Sequence, residues 1–297
     1  MTQQDRFFQH LQFEKRYSPY TITSYKSDLK QFSEFLLREF ELIDLSDADG
    51  AMIRSWLVFL INSGLSTRTV NRKLSSLKSF YHFLMREGRI LNSPLVKVSA
   101  PKTSKRLPVF VDEENMLKLF DVTLEKKNYD DYRNAMILEV FYATGMRLSE
   151  LIGLKEQDLD LHNCTLRVLG KRNKERIIPF GQHLLKALKE YVFYKQSTIF
   201  LVEDAKTFLF VTKEGKKLYP RLVYRIINAY LEQLTKIDKK SPHVLRHTFA
   251  THMLNRGASL NGIKEILGHA NLSATQVYTH NSIDKLMKIY QQAHPKA

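Results

Sequence analysis

Apolar residues recur at three- and four-residue steps through the first third of this 297-residue chain, which is the period of a helix with one buried face. In "SPYTITSYKSDLKQFSEFLL", Tyr25, Leu29, Phe32 and Leu36 mark that face. Ser18 is placed to cap the helix and Pro19 suits its first turn. A second helix is predicted in "DADGAMIRSWLVFLINSG", stopped by Gly64. A third, "STRTVNRKLSSLKSFYHFLMREG", starts near Ser66 and ends at Gly88. Val70, Leu74, Leu77 and Tyr81 line the apolar side of this third helix, which leaves Arg68, Arg72, Lys73 and Lys78 for the rest of its surface.

The period then breaks. "SPLVKVSAPKTSKRLP" holds three prolines and no repeat, as an interdomain linker does, so we divide the chain into residues 1–100, a linker over 101–107 and a second domain over 108–297. The second domain opens with helices, including "YRNAMILEVFYATG". Next, "CTLRVLGKRNKERIIPF" alternates like a strand, turns through "GKRNKE" and returns as a strand. "TFLFVT" is a candidate third strand, and helices resume at about Pro220. The expected fold is mainly α with two domains, the second an α+β domain with a small antiparallel sheet.

Charge changes this picture from architecture to partner. Lys and Arg outnumber Asp and Glu by 46 to 31, a formal net charge of +15, which favours an anionic partner: nucleic acid first, an anionic membrane surface second. From Arg68 to Arg106 stand ten basic residues against one acid, Glu87. Taken alone such a run reads as a solvated face. Within so basic a chain it marks Arg68, Arg72, Lys73, Lys78, Lys102, Lys105 and Arg106 as candidates for tracking phosphates. The single cysteine, Cys164, rules out an intramolecular disulfide and fits a reducing cytosol. The opening "MTQQDRFFQHLQFEK" has no signal-like apolar core, and no apolar run of spanning length follows, so we expect a cytoplasmic protein with no membrane partner.

The stretch "SPHVLRHTFATHM" holds three histidines and an arginine on one expected helix. Ser241 is a good cap, Pro242 suits the first helical position, and Leu245, Phe249 and Met253 bury one stripe. His243 and Arg246 then lie on the opening turns, where unpaired N–H groups favour an anion. The His243–His247 spacing is that of a zinc helix, but no Glu stands between them and Arg246 would repel a divalent cation. The alternative is that these are ordinary capping and surface residues. Other segments add to the set: Arg147 after Gly145 in "FYATGMRLSEL", Lys171 at the mouth of the hairpin, and His269 and Tyr278 in "LGHANLSATQVYTH". Two guanidiniums, two imidazoles, an ammonium and a phenol, with no acidic cluster for magnesium, suit metal-free cleavage of a phosphodiester. The arginines would neutralise the non-bridging oxygens. Tyrosine, with a free pKa of about 10, would attack once activated, and a lysine would protonate the leaving alcohol.

These motifs, in order "ATGMRLSEL", "GKRNKERIIP", "HVLRHTFATHML", "LGHANLSATQVYTH" and the closing "QQAHPKA", resemble the tyrosine site-specific recombinases, and among them the bacterial Xer type that resolves chromosome dimers. The resemblance covers nearly the whole chain. It implies catalytic roles for Arg147, Lys171, His243, Arg246 and His269, with Tyr278 as nucleophile and no metal or cofactor. It also implies a SAM-like N-terminal core-binding domain and a catalytic domain, closing as a C-shaped clamp on double-stranded DNA. Strand exchange would run through 3′-phosphotyrosyl bonds and a Holliday junction in a tetramer on two sites, formed with itself or a paralogous recombinase, with a DNA translocase as candidate regulator. An integrase or resolvase of a mobile element shares the chemistry, and a non-catalytic DNA-binding protein on this scaffold is the reading from another class. The final segment, with its stripe of Leu286, Ile289 and Tyr290, is expected to dock on a neighbouring subunit.

Overall fold

The computed structural model describes residues 2–103, 109–122, 127–170, 175–199, 203–234, 240–268 and 280–297. The chain forms two compact units, Met1–Arg106 and Leu107–Ala297.

The first unit is helical: α1 (Gln3–Gln9), a π-helical turn (His10–Glu14), α2 (Pro19–Phe40), α3 (Gly50–Asn62) and α4 (Thr67–Arg86). Each long helix starts where a short polar side chain accepts an otherwise unpaired N–H. Ser18 accepts from Thr21, Asp49 from Ala51 and Met52, and Ser66 from Thr69. Gly64 and Gly88 follow α3 and α4 with φ of +81° and +67°, values that side chains with a Cβ disfavour. Leu29, Phe32 and Leu36 of α2, Trp56 of α3, and Val70, Leu74, Leu77 and Tyr81 of α4 are almost fully buried against one another.

The polar side of α4 differs from expectation. Arg68 and Lys78 are exposed, but Lys73 is buried, with Nζ 3.0 Å from Asp28 Oδ1 and 2.6 Å from Gln31 Oε1. Asp28 of α2 is itself wholly buried and also accepts from Ser76 Oγ and from both terminal nitrogens of Arg72, whose side chain stays 47 % exposed. Arg72 Nη1 also contacts Ser24 Oγ. A buried carboxylate needs partners, and the α2–α4 seam places these two cations within its reach. Lys73 is therefore an internal tether and not part of the outer basic surface.

The second unit comprises α5 (Glu113–Val122), α6 (Tyr129–Thr144), α7 (Leu148–Gly153), β1 (Leu159–Asp160), β2 (Thr165–Leu169), β3 (Glu175–Pro179), α8 (Gln182–Thr198), α9 (Glu203–Thr207), α10 (Pro220–Leu234), α11 (Pro242–Asn255), α12 (Leu260–Leu267) and α13 (His280–Ala293). Helix α6 is its centre: Met136, Ile137, Leu138, Val140 and Phe141 are all 0 % exposed, since α8 and α11 flank it. The sheet is antiparallel in the order β1–β2–β3, with Thr165 opposite Pro179 and Leu169 opposite Glu175. "TFLFVT" is not its third strand. That place belongs to β1, and Phe208 and Val211 make only isolated bridges, to Lys155 and Lys217.

Helix α13 also corrects an expectation. Leu286, Tyr290 and Ala293 are buried in the core of their own unit, and Ile289 packs against it. The ring of Tyr290 stacks on His294 at 4.6 Å, and His294 Nε2 lies 3.2 Å from the carbonyl oxygen of Tyr142.

Candidate active site

Gly145 closes α6 at φ +58°, and a Cβ there would lie 2.5 Å from a ring carbon of Phe249 and 2.8 Å from Leu267. Only glycine lets the end of α6 press against α11 and α12. That closeness puts the carbonyl oxygen of Gly145 within 2.6 Å of Arg246 Nη1. Two residues on, Arg147 occupies the N-cap of α7, and Glu150 reaches back to accept its backbone N–H at 2.7 Å. The same carboxylate accepts from Arg147 Nη1 at 2.8 Å.

Three arginines from three segments meet at the carbonyl end of α12. Arg176 Nε donates to Ile266 O at 2.8 Å, Arg246 Nη2 to Leu267 O at 2.7 Å, and Arg147 Nη2 to Gly268 O at 3.0 Å. A helix C-terminus has unpaired carbonyls and partial negative charge, so it holds cations well. Glu150 adds a full negative charge, with its two oxygens 2.7 and 2.8 Å from Arg176. Burial of this carboxylate opposes its ionisation, but the Arg176 and Arg147 bonds outweigh that and hold its pKa at about 2. Arg246 is drawn down to about 10 by burial first, then by Arg147 and Arg176. Arg246 thus stays charged at pH 7. Three guanidiniums around one carboxylate give the cluster a formal excess of two positive charges. Arg176 is buried, and the Arg147 side chain is 32 % exposed, which leaves this guanidinium within reach of an anion arriving from solvent.

Helix α11 begins at Pro242 with Ser241 as N-cap, although the Ser241 side chain makes no capping bond. Leu245, Phe249 and Met253 are fully buried, and His243 and His247 are exposed. Burial, then His243 and Arg246, lower the pKa of His247. His252 belongs to the core: its Nε2 is 2.9 Å from Val111 O and its Nδ1 2.9 Å from Tyr142 Oη. Among the described residues, no three His, Cys, Asp or Glu side chains converge as a metal-ligand set.

Of the candidate catalytic residues, Arg147 and Arg246 are brought together, with His243 three positions before Arg246 on the same helix. Lys171, His269 and Tyr278 lie outside the described residues, as do Lys105 and Arg106 of the linker. Lys102 is exposed. Sequence reasoning missed Glu150, Arg176 and Asp28. One signal was readable: strand alternation puts Arg176 on the same inward face as Ile178.

Comparison with known proteins fits this geometry. Residues 109–285 match the phage integrase family, and residues 5–88 match the phage integrase N-terminal SAM-like domain. A tyrosine recombinase XerC of Chlorobaculum parvum is 39 % identical over 98 % of this chain and 94 % of its own length. A tyrosine recombinase XerC of Bacillus licheniformis is 42 % identical over 98 % and 95 %. In fold, the chain is similar to a crystal structure of the XerH site-specific recombinase bound to palindromic difH substrate, a post-cleavage complex. The TM-score is 0.72 at 23 % identity, over 97 % of this chain and 80 % of that one. The chain belongs to the phage integrase family and is a tyrosine recombinase, an enzyme that cleaves and rejoins DNA.

Proposed function

We propose that this recombinase acts in the cytoplasm at a specific double-stranded DNA site, with Tyr278 as nucleophile, and that it resolves chromosome dimers at cell division. The observation that carries the chemistry is the convergence of Arg147 and Arg246 on one helix end with excess positive charge. Fixed guanidiniums match a phosphodiester whose negative charge grows as an oxygen nucleophile adds, and they need no reorganisation at that moment. Tyr278 attacks the phosphorus and displaces the 5′ oxygen, leaving a 3′-phosphotyrosyl bond. Lys171 protonates the departing alcohol, while His243 and His269 bond the phosphate and assist proton transfer. The reverse attack by a 5′ hydroxyl rejoins the strand, so no external energy source is consumed.

The exposed Arg68, Arg72, Lys78 and Lys102, with Lys105 and Arg106, hold the DNA backbone. Assembly is a tetramer on two sites, with itself or a paralogous recombinase, under a DNA translocase. The near-full-length likeness to XerC proteins favours this chromosomal role over a mobile-element integrase. The test is Tyr278→Phe, which removes one hydroxyl. On nicked suicide DNA it should bind like wild type and yield no covalent adduct. Adducts that persist would assign the nucleophile elsewhere.

A further inference from the structure

Arg176 touches none of the groups assigned above to the phosphate, yet its guanidinium has every nitrogen engaged. Nε donates to Ile266 O at 2.8 Å, Nη1 to Glu150 Oε1 at 2.7 Å and Nη2 to Glu150 Oε2 at 2.8 Å. Glu150 is shared. Oε1 also accepts from Arg147 Nη1 at 2.8 Å, and Oε2 from the Arg147 backbone N–H at 2.7 Å. A lone glutamate would turn about its terminal torsion and carry Arg147 with it. The planar fork of Arg176 fixes the carboxylate plane, because two parallel bonds leave it no free rotation. The Ile266 bond fixes the fork in turn. Gly268 closes the stack, since a Cβ there would lie 2.8 Å from Arg176 Cδ, and its carbonyl oxygen holds Arg147 Nη2 at 3.0 Å.

We infer that Arg176 is a positioning residue for strand cleavage: through Glu150 it aims the Arg147 guanidinium at the scissile phosphate. The inference rests on the catalytic reading of Arg147 given above. Stability alone does not call for a buried Arg–Glu–Arg array, because an apolar substitute often packs as well or better. Arg176 is 4 % exposed and cannot itself take a phosphate oxygen, so its effect on the reaction passes through Arg147. Arg176 also stands five positions after Lys171 in sequence, so the anchored residue lies near a second candidate catalytic residue along the chain.

The test uses the full chain and nicked DNA whose scissile phosphate carries a methyl in place of one non-bridging oxygen. Such a phosphonate lacks the charge that a guanidinium neutralises, and its two diastereomers report on the two oxygens separately. Arg176→Lys keeps the buried charge but loses the fork. On ordinary DNA it should slow adduct formation by a factor on the order of 10², the effect of misplacing a reacting group by about 1 Å. The diastereomer that restores Arg147→Ala should restore Arg176→Lys to within a few-fold of wild type. Thermal melting identifies a variant that fails to fold, and in that event Arg176→Gln, which still donates to Glu150, is read in the same assay. Rescue by neither diastereomer, or only by the one that rescues Arg246→Ala, overturns the inference and leaves the role of Arg147 standing. If Arg147→Ala is itself rescued by neither, Arg147 does not neutralise the phosphate, and both readings fall.

Discussion

Replacing Glu150 with Gln tests the electrostatics of the arginine cluster by stability alone. The substitution keeps the shape of the side chain and removes its charge. In the folded protein the carboxyl ionises at about 2 against an ordinary 4.5, a difference of 2.5 pH units. At about 1.36 kcal/mol per unit this is roughly 3 kcal/mol of stability at pH 7. That agrees with the 3–5 kcal/mol typical of breaking a buried ion pair by removing one partner. The sign follows from linkage. A depressed folded pKa contributes stability that is complete above about 4.5 and is lost as pH falls toward 2. The gap between wild type and Glu150→Gln should therefore narrow from roughly 3 kcal/mol at pH 7 to roughly 1.5 kcal/mol at pH 3. Urea unfolding of both proteins at these two pH values measures it. A gap below about 1 kcal/mol at pH 7, or one that does not change with pH, would refute the reasoning, because the Arg147 and Arg176 bonds would then not be stabilising the ionised form.

Four further outcomes are expected. On the proposal that Lys171 is the general acid, rather than Lys174 of the same "GKRNKE" stretch, Lys171→Ala should slow cleavage of normal DNA by a factor on the order of 10² to 10⁴; sulfur at the bridging 5′ position, a leaving group that needs no proton, should restore it, and restoration in Lys174→Ala instead would reverse the assignment. Arg72→Ala should flatten the dependence of DNA affinity on salt, whereas Lys73→Met should lower thermal stability and leave the slope alone; equal changes in slope would place Lys73 on the DNA after all. Burial above all lowers the folded pKa of His294 to about 3 from 6.5, so wild type loses stability as pH falls below 6.5, and His294→Phe should gain about 3 kcal/mol relative to it between pH 7 and pH 4 in urea titrations; a constant difference would mean that His294 is not buried neutral. Because α13 is core in its own unit, deleting residues from Lys285 onward should destabilise the catalytic unit as a whole, and a truncated protein that melts like wild type would show the stripe to be dispensable there.

The sequence by itself determined the three long helices of the first unit but not α1, the pairing of β2 with β3, and Arg147, Arg246 and His243 as candidates. These follow from local physics. Capping residues stand next to the backbone they cap, a three-to-four-residue period declares a buried face, and alternation declares a strand. Local signals failed where two options were locally equal. "TFLFVT" has strand propensity, but the hydrogen-bonding edge of β2 was taken by Leu159 and Asp160. Lys73 and Lys78 read alike on a helical wheel, and only the position of Asp28 on α2 decides that one is a tether and the other is exposed. The Leu286–Tyr290 stripe requires a partner but does not say which, and the hollow beside α11, α12 and β3 supplies it within the chain. Tertiary structure alone decided the arginine cluster. Arg147, Arg176 and Arg246 come from segments far apart in sequence, and like charges so spaced carry no sign that they will meet. They converge because α12 ends where α6, α7 and β3 end or begin, and because its unpaired carbonyls and the single charge of Glu150 offset their repulsion.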